Sequence, residues 1–311
     1  MSALICGSLA YDTIMVFQDR FKHHILPDKV HILNVSFLVP DMRREFGGCA
    51  GNIAYNLKLL GGDPIPMATV GQDFGPYREH FLACGIRLDQ VKELGDLYTA
   101  QAFITTDLDD NQITAFHPGA MMRSFENNVR DVAGVKFGIV GPDGYEAMLQ
   151  NSEQFAEASI PFIFDPGQAM PLYSGAELTR MIEQATYVTV NDYESNLLQE
   201  KTGLDTRAIA DRVQAYLITR GPQGSEVHTK DGVLDIPVAK ARCVLDPTGC
   251  GDAYRAGLIF GWMHGMDMAT TGRMASLMGA LKIENIGPQN QKFDYARFKA
   301  DFVEQFGYSL D

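Results

Sequence analysis

The run Asp246-Pro-Thr-Gly-Cys-Gly-Asp252 places two carboxylates around three consecutive backbone N–H groups, those of Gly249, Cys250 and Gly251. A small-residue-rich stretch after it reads as a helix, which makes this run a helix start. The first N–H groups of a helix lack intrahelical partners and the macrodipole favours negative charge, so such a start receives anions. An anion cradle followed at once by a carboxylate suits phosphoryl transfer to a hydroxyl. The N–H groups hold the phosphoryl charge and Asp252, as general base, accepts the alcohol's proton. Asp246, at a strand end, orients the loop or a bound cation. The plainer reading has Asp252 serving only the helix dipole and Thr248 capping the helix. Glycines at two of the three cradle positions favour the chemical reading, because they let a ligand approach the backbone.

A second helix start, Phe46-Gly-Gly-Cys-Ala-Gly-Asn52, could admit a substrate to its main chain at Gly47 and Gly48, while the Asn52 amide addresses vicinal hydroxyls. Asp12 follows the first strand, on the edge where open α/β sheets bind ligands, and with Asn52 could clamp a diol. Asn191-Asp-Tyr-Glu194 can hold the water shell of Mg²⁺, although its spacing fits a capping box better. Thr219-Arg220-Gly221-Pro-Gln-Gly224 is a strand end and glycine turn, either a cradle for ATP phosphates with Arg220 nearby or an ordinary β-turn. Several motifs are missing. There is no G-x-x-x-x-G-K-[ST], no third glycine of a dinucleotide fingerprint at Tyr254, no H-E-x-x-H and no G-x-S-x-G. Cys250 sits at a helix N-terminus, which lowers a thiol's pKa, yet it reads as a small filler and not a nucleophile.

The elements that must position these groups are strands alternating with helices. Strand candidates are Leu4–Gly7, Pro66–Gly71, Phe137–Gly141, Phe162–Asp165, Tyr187–Asn191 and Tyr216–Arg220; helices are expected near 52–60, 76–84 and 252–264. That alternation predicts a mostly parallel, doubly wound α/β sheet. Two regions break the rhythm. Val30–Val39 is a strand-like run without a helix partner, and Thr99–Thr106 with Gln112–Phe116 reads as a hairpin around Asp107–Asn111. Together they predict a small β-sheet inserted twice, placed as a lid over the cleft. The expected division is 1–12, 46–96 and 119–311 for the α/β domain and 13–45 and 97–118 for the lid.

Composition narrows the classes. The 311 residues are 46% hydrophobic and 21% charged, enough to bury a sizeable core. A net charge of −13 argues against a nucleic-acid or anionic-membrane partner, which would require a basic face. Five scattered cysteines with no CxxC pair point to a reducing compartment. No apolar run is long enough to span a bilayer. A cytoplasmic protein is expected.

In this order the motifs resemble the PfkB (ribokinase-like) family of carbohydrate and nucleoside kinases. Gly47-Gly48-x-x-x-Asn52 through Gly61-Gly62 matches the N-terminal signature, Asp246–Asp252 through Gly257 the C-terminal one, and Asn191-x-x-Glu194 the magnesium/phosphate motif. The resemblance spans nearly the whole chain. It implies a three-layer α/β/α sandwich with a β lid, ATP-dependent phosphorylation of a hydroxymethyl group, and Mg²⁺ as cofactor. It further implies Asp252 as base, an anion hole at Gly249–Gly251, and Asp12, Gly48 and Asn52 on the sugar. The segments Asn34–Val39, Asp165-Pro-Gly-Gln168 and Lys282-Ile-Glu-Asn-Ile-Gly-Pro-Gln289 look most like prokaryotic nucleoside kinases, which adds Gln168 and the lid residue Phe116 as substrate contacts. Phe37, Phe103, Phe116 and His117 could sandwich a base, or the phenylalanines could form the lid's own core. Pro247 stands where threonine is usual and Cys250 where alanine is usual, which weakens side-chain support for a monovalent cation such as K⁺ at Asp246. The expected activity is phosphorylation of a nucleoside 5′-hydroxyl, by a monomer or lid-mediated homodimer. The alternatives are a sugar kinase of the same family and a non-catalytic nucleoside sensor on the same fold.

Overall fold

The computed structural model describes residues 1–25, 34–109 and 111–310. Strands and helices are numbered in chain order. Nine strands form the main sheet: β1 (Ser2–Cys6), β4 (Asp63–Gly71), β5 (Val91–Leu94), β8 (Val135–Val140), β9 (Phe162–Phe164), β10 (Tyr187–Asn191), β11 (Ala215–Thr219), β12 (Ser225–Thr229) and β13 (Gly232–Ile236). Their order across the sheet is β13-β12-β11-β10-β9-β8-β1-β4-β5. β12 pairs antiparallel with both β11 and β13, and the other described pairings of this sheet are parallel. The helices are α1 (Cys49–Leu59), α2 (Gly75–Ala83), α3 (Tyr145–Glu157), α4 (Gly175–Gln184), α5 (Asp192–Thr202), α6 (Thr206–Ala210), α7 (Cys250–Met263), α8 (Met268–Ile283) and α9 (Tyr295–Phe306).

Successive strand residues point to opposite faces, and here both faces are covered. Leu4 and Cys6 join a core with Val140, Phe164 and Val190 under α3 to α6. Ala3 and Ile5 join another with Ile139 and Leu217 under α1, α2 and α7 to α9. The result is the expected three-layer α/β/α sandwich. Because parallel strands have apolar residues on both faces, their sequences read as near-continuous hydrophobic runs, which is why β1, β8, β9, β10 and β11 were recognisable.

A second sheet has the order β3-β2-β6-β7, with β2 at Ala10–Val16, β3 at Asp41–Gly47, β6 at Ala100–Thr106 and β7 at Gln112–His117. The hairpin β6–β7 falls where the turn residues placed it. The strand expected at Val30–Val39 does not: Val30–Leu33 lies outside the described residues, and Asn34–Pro40 has no regular structure. Its place is taken by β3, whose Asp41-Met-Arg-Arg start is exposed and mostly charged, as an edge strand tolerates. The small sheet begins at Ala10 and β3 runs on to Gly47, so Asp12 lies within it.

Helices α7 and α8 cross closely at Gly257, where an added Cβ would lie 2.6 Å from the Ala275 Cα. This glycine forgoes helix propensity in return for that approach. Gly257→Val should force the helices apart and destabilise the chain by about 1–3 kcal/mol. The measurement is the urea midpoint, and an unchanged midpoint would contradict the packing described.

Candidate active site

Helix α7 opens without a side-chain cap. Gly249 takes a left-handed φ of +79°, and a Cβ there would also meet the Pro288 Cβ at 2.7 Å. Thr248 does not cap the helix; its N–H donates to the Asp246 carboxylate at 2.9 Å. Of the three N–H groups expected to cradle an anion, that of Cys250 donates to the Pro247 carbonyl at 3.1 Å. Those of Gly249 and Gly251 have no backbone partner among the described residues.

Asp252, in the first turn of α7, accepts a hydrogen bond from Asn52 Nδ2 at 2.8 Å. Asn52 lies in the first turn of α1, after Gly48 at the N-cap with φ +85°, and is 5% exposed. Its amide oxygen accepts from Gln289 Nε2 at 3.0 Å. Gln289 Nε2 also donates to the Tyr77 hydroxyl at 2.7 Å, and that hydroxyl donates to the Gly47 carbonyl at 2.7 Å. His80 Nε2 lies 3.0 Å from Gln289 Oε1. The Asn52 amide, expected on a sugar diol, is therefore tied to Asp252 on one side and Gln289 on the other. Asp12 projects from β2 against Gly47, where any Cβ would lie 2.5 Å from its carboxylate oxygen.

These carboxylates are crowded. Burial pushes Asp252 up to about 7, with the charges of Asp165 and Asp12 adding to it against the Asn52 hydrogen bond and the Arg255 charge. Asp12 is pushed up to about 6, first by burial and then by Glu45 and Asp246. The counter-charge is Arg255, one turn beyond Asp252, whose Nε and Nη2 bind the two oxygens of Asp165 at 2.5 and 3.0 Å. Both members of this pair are buried. Cys250 runs against the expectation from its helix-end position: burial, with Asp246 and Asp252 nearby, raises its thiol to about 11. It is a small protonated filler.

The remaining candidates lie further out. Asn191 and Glu194 form a reciprocal capping box at the start of α5: Glu194 N donates to Asn191 Oδ1 at 2.7 Å and Asn191 N to Glu194 Oε2 at 2.8 Å. Burial, then the charge of Asp165, raises Glu194. Thr219 ends β11, and Gly221 and Gly224 bracket the turn after it. Arg220, between them, pairs with Glu226 at 2.5 Å and Asp235 at 3.2 Å, so its guanidinium is already engaged by carboxylates. Gln168 is exposed in the turn Gly167–Leu172 after β9, and Phe116 is exposed on β7. Phe37 packs on Phe17 and Phe21 with ring centroids 4.8 and 5.1 Å apart, within the small sheet's own aromatic cluster. Tyr77, His80 and Arg255 were not anticipated. Arg255 carried a signal, a lone cation among Ala253, Tyr254, Ala256 and Gly257, at a helical turn's spacing from Asp252. Tyr77 and His80 carried none, since their role depends on Gln289 some 200 residues away.

A family model described as pfkB family carbohydrate kinase matches residues 9–294. The chain belongs to the PfkB kinase family. As a PfkB kinase it is a phosphotransferase with an alcohol group as acceptor, on a ribokinase-like fold. It is similar to the nucleoside kinase of Methanocaldococcus jannaschii, 31% identical over 82% of this chain and 85% of the relative. The solved nucleoside kinase of Burkholderia thailandensis in complex with inosine superposes with a TM-score of 0.91 at 55% identity, covering 99% of both chains. The same enzyme in complex with ADP-inosine superposes at 0.88 with 57% identity, covering 99% of this chain and 97% of that one.

The raised Asp252 has a thermodynamic consequence. Its folded pKa of about 7 lies above the unfolded value near 3.8, so the folded chain holds a proton that the unfolded chain releases. The stability this contributes is complete below about pH 4 and is lost as pH rises through about 7. Asp252→Asn abolishes that loss. Its melting temperature relative to the unaltered chain should climb between these pH values, by about 2 °C or more in total. A pH-independent offset would contradict the raised pKa.

Proposed function

We propose that this kinase transfers the γ-phosphoryl group of ATP to the 5′-hydroxyl of a nucleoside, with adenosine or a broad range of nucleosides as acceptors. The observation that carries the reading is one face of the small sheet. Strand register puts Asp12, Ile14, Ala102, Ile104 and Phe116 on the same side. A carboxylate able to accept from ribose hydroxyls thus stands next to an apolar strip that suits a nucleobase. Phe103 and His117 fall on the opposite face, so of the four side chains considered for a base sandwich only Phe116 is retained. The two similar structures with inosine and ADP-inosine support the same acceptor class.

In this mechanism Asp12 and the Gly47–Gly48 main chain hold the ribose, and the small sheet serves as lid. Asp252, kept in place by Asn52, accepts the 5′-hydroxyl proton while the new O–P bond forms and the bond from the γ-phosphorus to the bridging oxygen breaks. The N–H groups of Gly249 and Gly251, joined by that of Cys250 where it turns from Pro247, stabilise the phosphoryl oxygens. A base with a pKa near 7 matches late proton transfer at neutral pH. Among the described residues no three His, Cys, Asp or Glu side chains converge as a metal cage. Mg²⁺ commonly keeps its waters and reaches protein through one or two carboxylates plus phosphate oxygens, a donor set that Glu194 fits. Held there through its waters by Glu194, a bound Mg²⁺ would supply charge neutralisation to the transferred phosphoryl group. Asn191, Thr219, Gly221 and Gly224 would line the nucleotide side of the cleft, with Arg220 kept in reserve by Glu226. No helix among the described residues is long and apolar enough to cross a membrane, and all five cysteines are free. A cytoplasmic enzyme suits both facts.

The test is ADP release over a panel of nucleosides and free sugars. Nucleosides should turn over with sugars inert; turnover of a sugar alone would replace the acceptor, and turnover of neither would favour a sensor. Asp252→Asn should lower kcat by about 10²–10⁴-fold while calorimetry still detects nucleoside binding. Unchanged kcat would remove Asp252 from the mechanism.

A further inference from the structure

Lys282, in the last turn of α8, is 0% exposed. Lysine is almost never fully buried without a counter-charge or acceptors. Its ammonium donates to the main-chain carbonyl of Asp246 at 2.7 Å and to that of Asn285 at 3.1 Å. Two loops meet around it. Leu245 N and Asp246 N donate to the Ile283 carbonyl at 2.9 and 3.3 Å. The Asp246 carboxylate accepts from Gly287 N and Thr248 N, each at 2.9 Å. Carbonyl oxygens converging on a compact positive charge, with a carboxylate close by, are the surroundings in which a protein holds a dehydrated monovalent cation.

The family resemblance implies such a cation at Asp246, and the residues present do not fit it. The Asp246 carbonyl is bonded to the ammonium, and both carboxylate oxygens are bonded to backbone N–H groups. The loop so held leads directly into the anion cradle, through Pro247 and the Pro247-to-Cys250 turn. Burial pushes the ammonium's pKa below the ordinary lysine range, while Asp246, Cys250 and Glu45 oppose that push. Asp246 is itself held below the usual carboxylate range; burial alone would raise it, and the donated N–H groups and Lys282 outweigh that.

We propose that the Lys282 ammonium is a tethered monovalent cation that positions the Asp246–Asp252 loop, so that this kinase needs no potassium. The proposal rests on the kinase reading above, and Lys282 acts as a positioning residue, through the loop and not on the substrate. A fixed cation saves the entropy of recruiting a free ion. It also explains why Pro247 is tolerated where a hydroxyl-bearing residue is usual in the family: no metal ion needs that hydroxyl.

The test uses the full chain freed of potassium, with ionic strength held by tetramethylammonium chloride while KCl is varied. For the unaltered chain, kcat should change by less than about twofold, equivalent to about 0.4 kcal/mol, and melting temperature should not distinguish K⁺ from tetramethylammonium. Potassium-specific activation of about tenfold or more, or a potassium-specific rise in melting temperature, would overturn the proposal. Lys282→Met should lower kcat at least about tenfold with nucleoside KM little changed, and K⁺ or methylammonium should restore part of both kcat and melting temperature. A folded Lys282→Met variant that loses activity without cation rescue, or keeps full kcat, would also overturn it. The thermal measurement requires no turnover, so a failed kinase assay leaves this inference testable, and the potassium series on the unaltered chain decides it even where the variant does not fold.

Discussion

The hydrogen bond between Asn52 Nδ2 and Asp252 Oδ2 joins two segments separated by 200 positions in sequence. Each segment is a glycine-rich helix start, and each would be an ordinary turn alone. Joined, they put the open N–H groups of α7 against a carboxylate whose charge the surroundings disfavour. Asp252 is held near neutrality by burial and by Asp165 and Asp12, and is kept from rising further by Asn52 and Arg255. The arrangement costs stability above neutral pH, because the folded chain there carries a buried charge that its surroundings disfavour. Gln289, Tyr77 and His80 fix Asn52 in turn, and Gln289 comes from the same loop that closes over Asp246.

How much of this was legible depended on the range of the interaction. Parallel strands such as β8 and β10 are apolar on both faces and could be read directly, as could the β6–β7 hairpin from its turn residues. Strand β3 could not, because Asp41, Arg43, Arg44 and Glu45 form an edge with solvent on one side. The two helix starts were readable from glycine spacing and residue type. The partner of Asn52 was not, since nothing in the spacing of Phe46–Asn52 says that its amide will meet Asp252.

One local rule was outweighed by its tertiary surroundings. A helix N-terminus lowers a thiol's pKa, yet Cys250 rises because burial, with Asp246 and Asp252 nearby, exceeds the opposing charge of Lys282. Asn191 and Glu194 follow theirs, since the reciprocal cap that their spacing favours is the one that forms. Lys282 shows the converse, a residue with no local motif whose role follows from the carbonyls it meets.

Asp252 is a carboxylate of raised pKa restrained by Asn52. Carbon-13 NMR titration of its carboxyl carbon, assigned with Asp252→Asn and repeated in Asn52→Ala, tests this directly. A midpoint near 7 is expected, moving higher when Asn52 is removed, because its hydrogen bond favours the charged form. A midpoint near 4, the ordinary aspartate range, or one indifferent to Asn52, would contradict it.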